Sequence, residues 1–101
     1  MMFGLRGNLI DEIINRISSN SKVQKIIIFG SRARGDYQKS SDIDISIVAN
    51  PLLSSEEFNI LKAQLDELDT IYKIDLVDTK RIDKEALLRS IEKDGVLLYN
   101  R

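Results

Sequence analysis

Residues 28–47 constrain this chain more than any other stretch. An apolar run, Ile26 to Phe29, stops abruptly at Gly30-Ser31. A short polar, basic passage follows, and the chain returns as Ile43-Asp44-Ile45-Ser46-Ile47. Side chains on a strand alternate between faces. Ile43, Ile45 and Ile47 therefore point one way and read as core. Asp42, Asp44 and Ser46 point the other way, which sets two carboxylates side by side at the mouth of the Gly30-Ser31 turn. The connection is short, so the two strands are expected to be antiparallel.

Carboxylates this close repel, and one tends to keep its proton. A divalent cation removes the conflict, and hard oxygen ligands on a strand suit Mg²⁺, which leaves its other positions to water and phosphate oxygens. Glycine lets backbone approach a ligand closely, and free N–H groups at a following helix start favour anions. Phosphate at the turn beside metal on the strand describes a nucleoside-triphosphate site.

Elsewhere the pattern gives an α-β-β-α-β-α-β order. Asn8 is expected to cap a helix reaching about Ser19, with Leu9, Ile10, Ile13, Ile14 and Ile17 as its apolar stripe. Val23 to Phe29 reads as the first strand, Ser31 to about Gly35 as a single helical turn, Asp36 to Ser41 as a loop, and Ile43 to Val48 as the second strand. Asn50-Pro51 breaks that strand. Ser54 and Glu57 form a capping box for a helix to about Asp69. Tyr72 to Val77 is the third strand, Asp83 to Lys93 a helix stopped by Gly95, and Val96 to Tyr99 a last strand. The expected fold is α+β (α/β, two-layer): a mixed sheet with helices mainly on one face, the other partly open around the acids.

Composition narrows the chemistry. The 101 residues form one domain, residues 1–101, with no room for a second core. Fifteen Lys and Arg nearly balance sixteen Asp and Glu, which argues against direct nucleic-acid binding. The absence of cysteine and histidine removes thiolate chemistry, the usual general base and the commonest zinc ligand. No apolar run is long enough to span a bilayer and no signal-peptide pattern opens the chain, so no membrane partner is expected and the expected location is cytoplasmic. Gly30 to Gly35 has Walker A spacing, but Asp36 stands where lysine is required.

Gly30-Ser31, ten intervening residues, then Asp42-x-Asp44 resembles the DNA polymerase β-like nucleotidyltransferase superfamily. Gly-Ser-Arg-Ala-Arg-Gly-Asp and Ser-Asp-Ile-Asp-Ile, in so short a chain, look like its minimal nucleotidyltransferase (MNT) branch. Either motif alone is a weak signal; together, between two strands, they are fairly specific. The resemblance implies a polymerase β-like nucleotidyltransferase fold. It also implies Asp42, Asp44 and a third carboxylate on a later strand as catalytic metal ligands. Asp75 fits, because Ile74 and Leu76 alternate away from it, whereas Asp78 falls on the apolar side. By the same resemblance two Mg²⁺ ions bridge the acids and ATP, and Gly30 and Ser31 hold its β- and γ-phosphates. Asp75 helps deprotonate the acceptor hydroxyl. Arg32, Arg34 and Lys39 are nearby cations; the sequence does not say which of them faces the site, and Arg34 is taken as the nucleotide-binding one. The implied activity is transfer of AMP to a tyrosine of a small all-helical HEPN toxin, an antitoxin role. Two other readings stay open: a non-catalytic antitoxin acting by contact, and a catalytic subunit modifying a small molecule.

Overall fold

The computed structural model describes residues 1–101. Nine short elements follow one another: α1 (Gly7–Ser18), β1 (Val23–Phe29), α2 (Gly30–Arg34), β2 (Ile43–Ala49), α3 (Ser55–Asp66), β3 (Ile74–Asp78), a 3₁₀ turn (Thr79–Arg81), α4 (Glu85–Asp94) and β4 (Val96–Asn100). The strands form one mixed sheet in the order β3-β2-β1-β4. β1 runs antiparallel to β2 and to β4, and β2 runs parallel to β3. A parallel pair needs a crossover connection, and α3 supplies it.

Alternation decides which face each strand buries. Ile26, Ile28, Ile43, Ile45 and Ile47 join one core with Ile10, Ile13 and Ile17 of α1 and Leu61 and Leu65 of α3. Each such side chain contributes roughly 1.5–3 kcal/mol on burial. The opposite face carries Ile27, Phe29, Asp44 and Asp75, and α4 closes part of it. Ile91 of α4 is buried outside the main core, and a Cβ on Gly95 would sit 2.8 Å from the Ile27 side chain. No helix is long and apolar enough to cross a membrane.

Several boundaries differ from the sequence reading, each for a physical reason. α1 starts at Gly7 with Arg6 as N-cap, so Asn8 lies inside the helix and caps nothing. The buried Leu5, in a tight turn with Met2, sets the entry instead. α4 starts at Glu85 behind Lys84, with no side-chain cap, because the 3₁₀ turn occupies the chain just before Asp83. α3 ends at Asp66 rather than Asp69. β3 begins at Ile74, not Tyr72, and Tyr72 is drawn instead onto the Arg32 guanidinium. Gly95 does end α4, but in an extended conformation with φ −64° rather than a left-handed one. Its lack of a side chain matters because a Cβ would lie 2.3 Å from the Ile91 carbonyl oxygen.

Candidate functional site

β2 is the spine of the site. Ile43, Ile45 and Ile47 are fully buried on one side, and Asp44 is half-buried on the other. Strand register sets Phe29 of β1 opposite Asp44, and Asp44 opposite Asp75 of β3. Neighbouring strands lie about 4.8 Å apart. Asp44 and Asp75 therefore stand as adjacent carboxylates in one row across the sheet. Gly30 directly follows Phe29. Its φ is +74°, and a Cβ there would sit 2.2 Å from Asp44 Oδ2. Both the backbone conformation and the space require glycine at this position.

Phe29, Gly30, Ser31, Arg34, Asp44 and Asp75 line one face of a cleft of about 590 Å³. Leu87 and Ser90 of α4 form the facing wall. The cleft thus joins the turn, both acids and one cation. α2 has only five residues, so its dipole is short, and Arg34 is the one cation lining the cleft.

The charges in the cleft are in tension. The Asp44 carboxyl is raised above its ordinary value, first by burial and then by the charges of Asp75 and Asp42, with Arg34 and Lys73 offsetting part. Lys73 Nζ lies 3.5 Å from Asp75 Oδ1. Arg34 is held by two acids: Nε is 3.2 Å from Asp36 Oδ2 and Nη1 is 3.4 Å from Asp94 Oδ2. These partners, Asp36 foremost, raise the guanidinium above its usual value.

The sequence-predicted residues divide on inspection. Gly30, Ser31, Arg34, Asp44 and Asp75 share the cleft. Asp42 precedes β2, and its charge reaches Asp44 without its side chain lining the cleft. No three carboxylates close on a common point as a ready metal-binding group. Asp78 faces away and is 4% exposed. It accepts from the Lys80 backbone N–H at 3.2 Å and pairs with Arg81 Nε at 3.6 Å. Arg32 is 2% exposed and turned from the cleft. Its guanidinium donates to the carbonyls of Phe3, Lys39 and Ser41 and lies over the rings of Tyr37 and Tyr72. Lys39 borders a different groove, on the Arg32 side. The sequence reading missed Leu87, Ser90 and Asp94. With Ile91 they recur at three- and four-residue spacing, which puts them on one helix face but does not say that this face meets the site.

Comparison with known proteins places this geometry. The family model described as "Polymerase beta, Nucleotidyltransferase" matches residues 11–101. Among curated relatives, MJ1379 of Methanocaldococcus jannaschii, named for an inferred protein adenylyltransferase activity, is 34% identical over 96 residues, 89% of this chain and 93% of that protein. A second so named, MJ0604 of the same organism, is 51% identical over only 43 residues, 41% of this chain and 43% of that protein. A crystal structure of a toxin–antitoxin with AMP-PNP superposes with TM-score 0.68 at 27% identity, covering 96% of this chain and 75% of that one. The MntA–HepT toxin–antitoxin gives 0.66 at 25% identity, covering 95% and 74%. A nucleotidyltransferase structure from Sulfolobus solfataricus gives 0.60 at 28%, covering 93% and 79%. With the family model running over nearly all of the chain and relatives above 30% identity spanning most of both lengths, this chain belongs to the polymerase β nucleotidyltransferase family of enzymes.

Proposed function

We propose that this protein transfers AMP from ATP to a tyrosine hydroxyl of a small helical HEPN toxin and thereby acts as its antitoxin. The observation that carries the reading is the row Asp44–Asp75 beside Gly30-Ser31, with Arg34 in the same cleft. The relatives named as protein adenylyltransferases and the MntA–HepT likeness support it. A reaction drawing on ATP fits a cytoplasmic setting.

The donor set fits magnesium. Asp44 resists ionisation first because it is partly buried and then because Asp75 and Asp42 crowd it with charge, and hard carboxylate oxygens suit a small divalent cation. Asp42, Asp44 and Asp75 would hold it. When bound, Mg²⁺ neutralises triphosphate charge and lowers the pKa of the acceptor hydroxyl.

The chain's own residues do the rest. Gly30 leaves room for the Asp44 carboxylate against the backbone. Ser31 and Arg34 orient the β- and γ-phosphates of ATP. Asp75 takes the tyrosine proton, which a histidine does in other enzymes. The tyrosine oxygen then bonds to the α-phosphorus as the bond to the bridging oxygen breaks. Pyrophosphate leaves with that electron pair.

Incubation with labelled ATP, Mg²⁺ and the helical protein encoded beside it tests the proposal. The expected result is label on a partner tyrosine, silenced RNase, and loss of both with Asp44→Ala. Absence of label with wild type and Asp44→Ala alike overturns it. One observation favours a contact-only antitoxin: the three acids do not close on a shared point. Inhibition that persists in Asp42→Ala/Asp44→Ala would decide for that second reading.

A further inference from the structure

We infer that Asp94, at the end of α4, is a positioning residue that aims Arg34 at the nucleotide's phosphates. The inference rests on the reading above, in which Arg34 meets the triphosphate.

A guanidinium presents five N–H groups in a rigid planar fork. Asp36 takes Nε and Asp94 takes Nη1, while Nη2 has no partner. Nε and Nη1 are thus held by protein and Nη2 is left free, on a side chain that lines the cleft. An arginine held this way loses less freedom on meeting an anion than one that swings free.

The two acids are not equivalent. Asp36 sits in the loop after α2, and its side chain is 64% exposed. An exposed pair of this kind contributes little. The Asp94 side chain is 16% exposed. It is anchored by the buried Ile91 one turn earlier and by Gly95, whose N–H donates to the Ile91 carbonyl and whose missing side chain leaves room for Ile27. Arg34 also lies beside the carbonyl end of α4, which favours a cation. Asp94 is therefore the fixed point, and it couples α4 to the phosphate end of the cleft.

The test is calorimetric binding of Mg²⁺-AMP-PNP, paired with AMP-transfer kinetics on the partner complex. The variants are Asp94→Ala, Asp94→Asn, Arg34→Ala and Arg34→Ala/Asp94→Ala. Asp94→Ala is expected to weaken AMP-PNP binding and raise KM for ATP about tenfold, the size of one charge-assisted contact, with kcat within about twofold. Asn keeps an acceptor oxygen, so Asp94→Asn should restore most of the binding. The double variant should bind no worse than Arg34→Ala, since both act through one group. If Arg34→Ala weakens binding and Asp94→Ala does not, the inference fails while the role of Arg34 stands. If Arg34→Ala leaves binding unchanged, the role of Arg34 itself fails and the inference with it. If Asp94→Ala and Asp94→Asn lower kcat, binding and melting temperature together, Asp94 is merely structural and the inference is overturned.

Discussion

Arg32 and Arg34 are two residues apart on α2, yet they do opposite work. Arg34 lines the cleft; Arg32 is sealed behind it and satisfied without a carboxylate. Three carbonyls and two tyrosine rings solvate its charge, tying the N-terminal turn, the loop before β2 and the approach to β3 together. Replacing Arg32 by alanine strands those carbonyls and empties the site, a cost of about 3 kcal/mol. That corresponds to roughly a 15 °C fall in melting temperature for a domain this small. Lysine should recover only part, since it lacks the planar fork. Thermal melts of the two variants check the order. Nothing in the sequence separated the two arginines, because both sit among polar residues and the distinction rests on which carbonyls and rings converge. Asp44 and Asp75 were legible for the opposite reason. Strand alternation is a local rule, and the isoleucines around them fix the face.

At the scale of elements, the start of α3 was legible and the starts of α1 and α4 were not. A capping box is a contact between residues three apart, so spacing suffices to find it. Ser54 Oγ accepts from the Glu57 N–H and Glu57 Oε1 accepts from the Ser54 N–H, each at 3.0 Å. Asn8 and Asp83 had the right chemistry for caps, but Leu5 and the 3₁₀ turn chose other starts. Glu57 does more than cap. Lys22 Nζ donates to its Oε1 at 2.8 Å and Asn20 donates to Oε2, which ties α3 to the turn before β1. Lys22, then the Ser54 N–H, pull the Glu57 carboxyl down to about 2 from 4.5. A carboxylate depressed by folding stabilises above its unfolded value, and that stability is lost as pH falls through the folded one. Wild type should therefore be more stable than Glu57→Gln at neutral pH. The gap should close between pH about 4.5 and about 2. Urea denaturation of both proteins across that range measures it.

Across the whole molecule, one sheet serves two demands. Its apolar face, covered by α1 and α3, holds the fold. Its other face keeps acids in a row that α4 only partly shelters. The sequence conveyed both faces of β2 but not the packing of α4 across the second, which depends on contacts between distant segments such as Gly95 and Ile27. The charged row works against stability. Burial and the charges of Asp75 and Asp42 disfavour ionised Asp44, and Arg34 and Lys73 offset this only in part. Asn is nearly the same size as Asp and removes the repulsion. Asp44→Asn should therefore raise the melting temperature of the protein alone by roughly 5 °C, equivalent to about 1 kcal/mol of relieved charge conflict. If Mg²⁺ and ATP bind as proposed, they raise the melting temperature of wild type further, and the same substitution should abolish that rise, since a ligand stabilises only the form that binds it. Scanning both proteins with and without Mg²⁺-ATP gives four melting temperatures. A variant that melts lower than wild type without ligand would mean that the acids stabilise the fold rather than strain it, and the account of the cleft as a charge-frustrated cation site would fall.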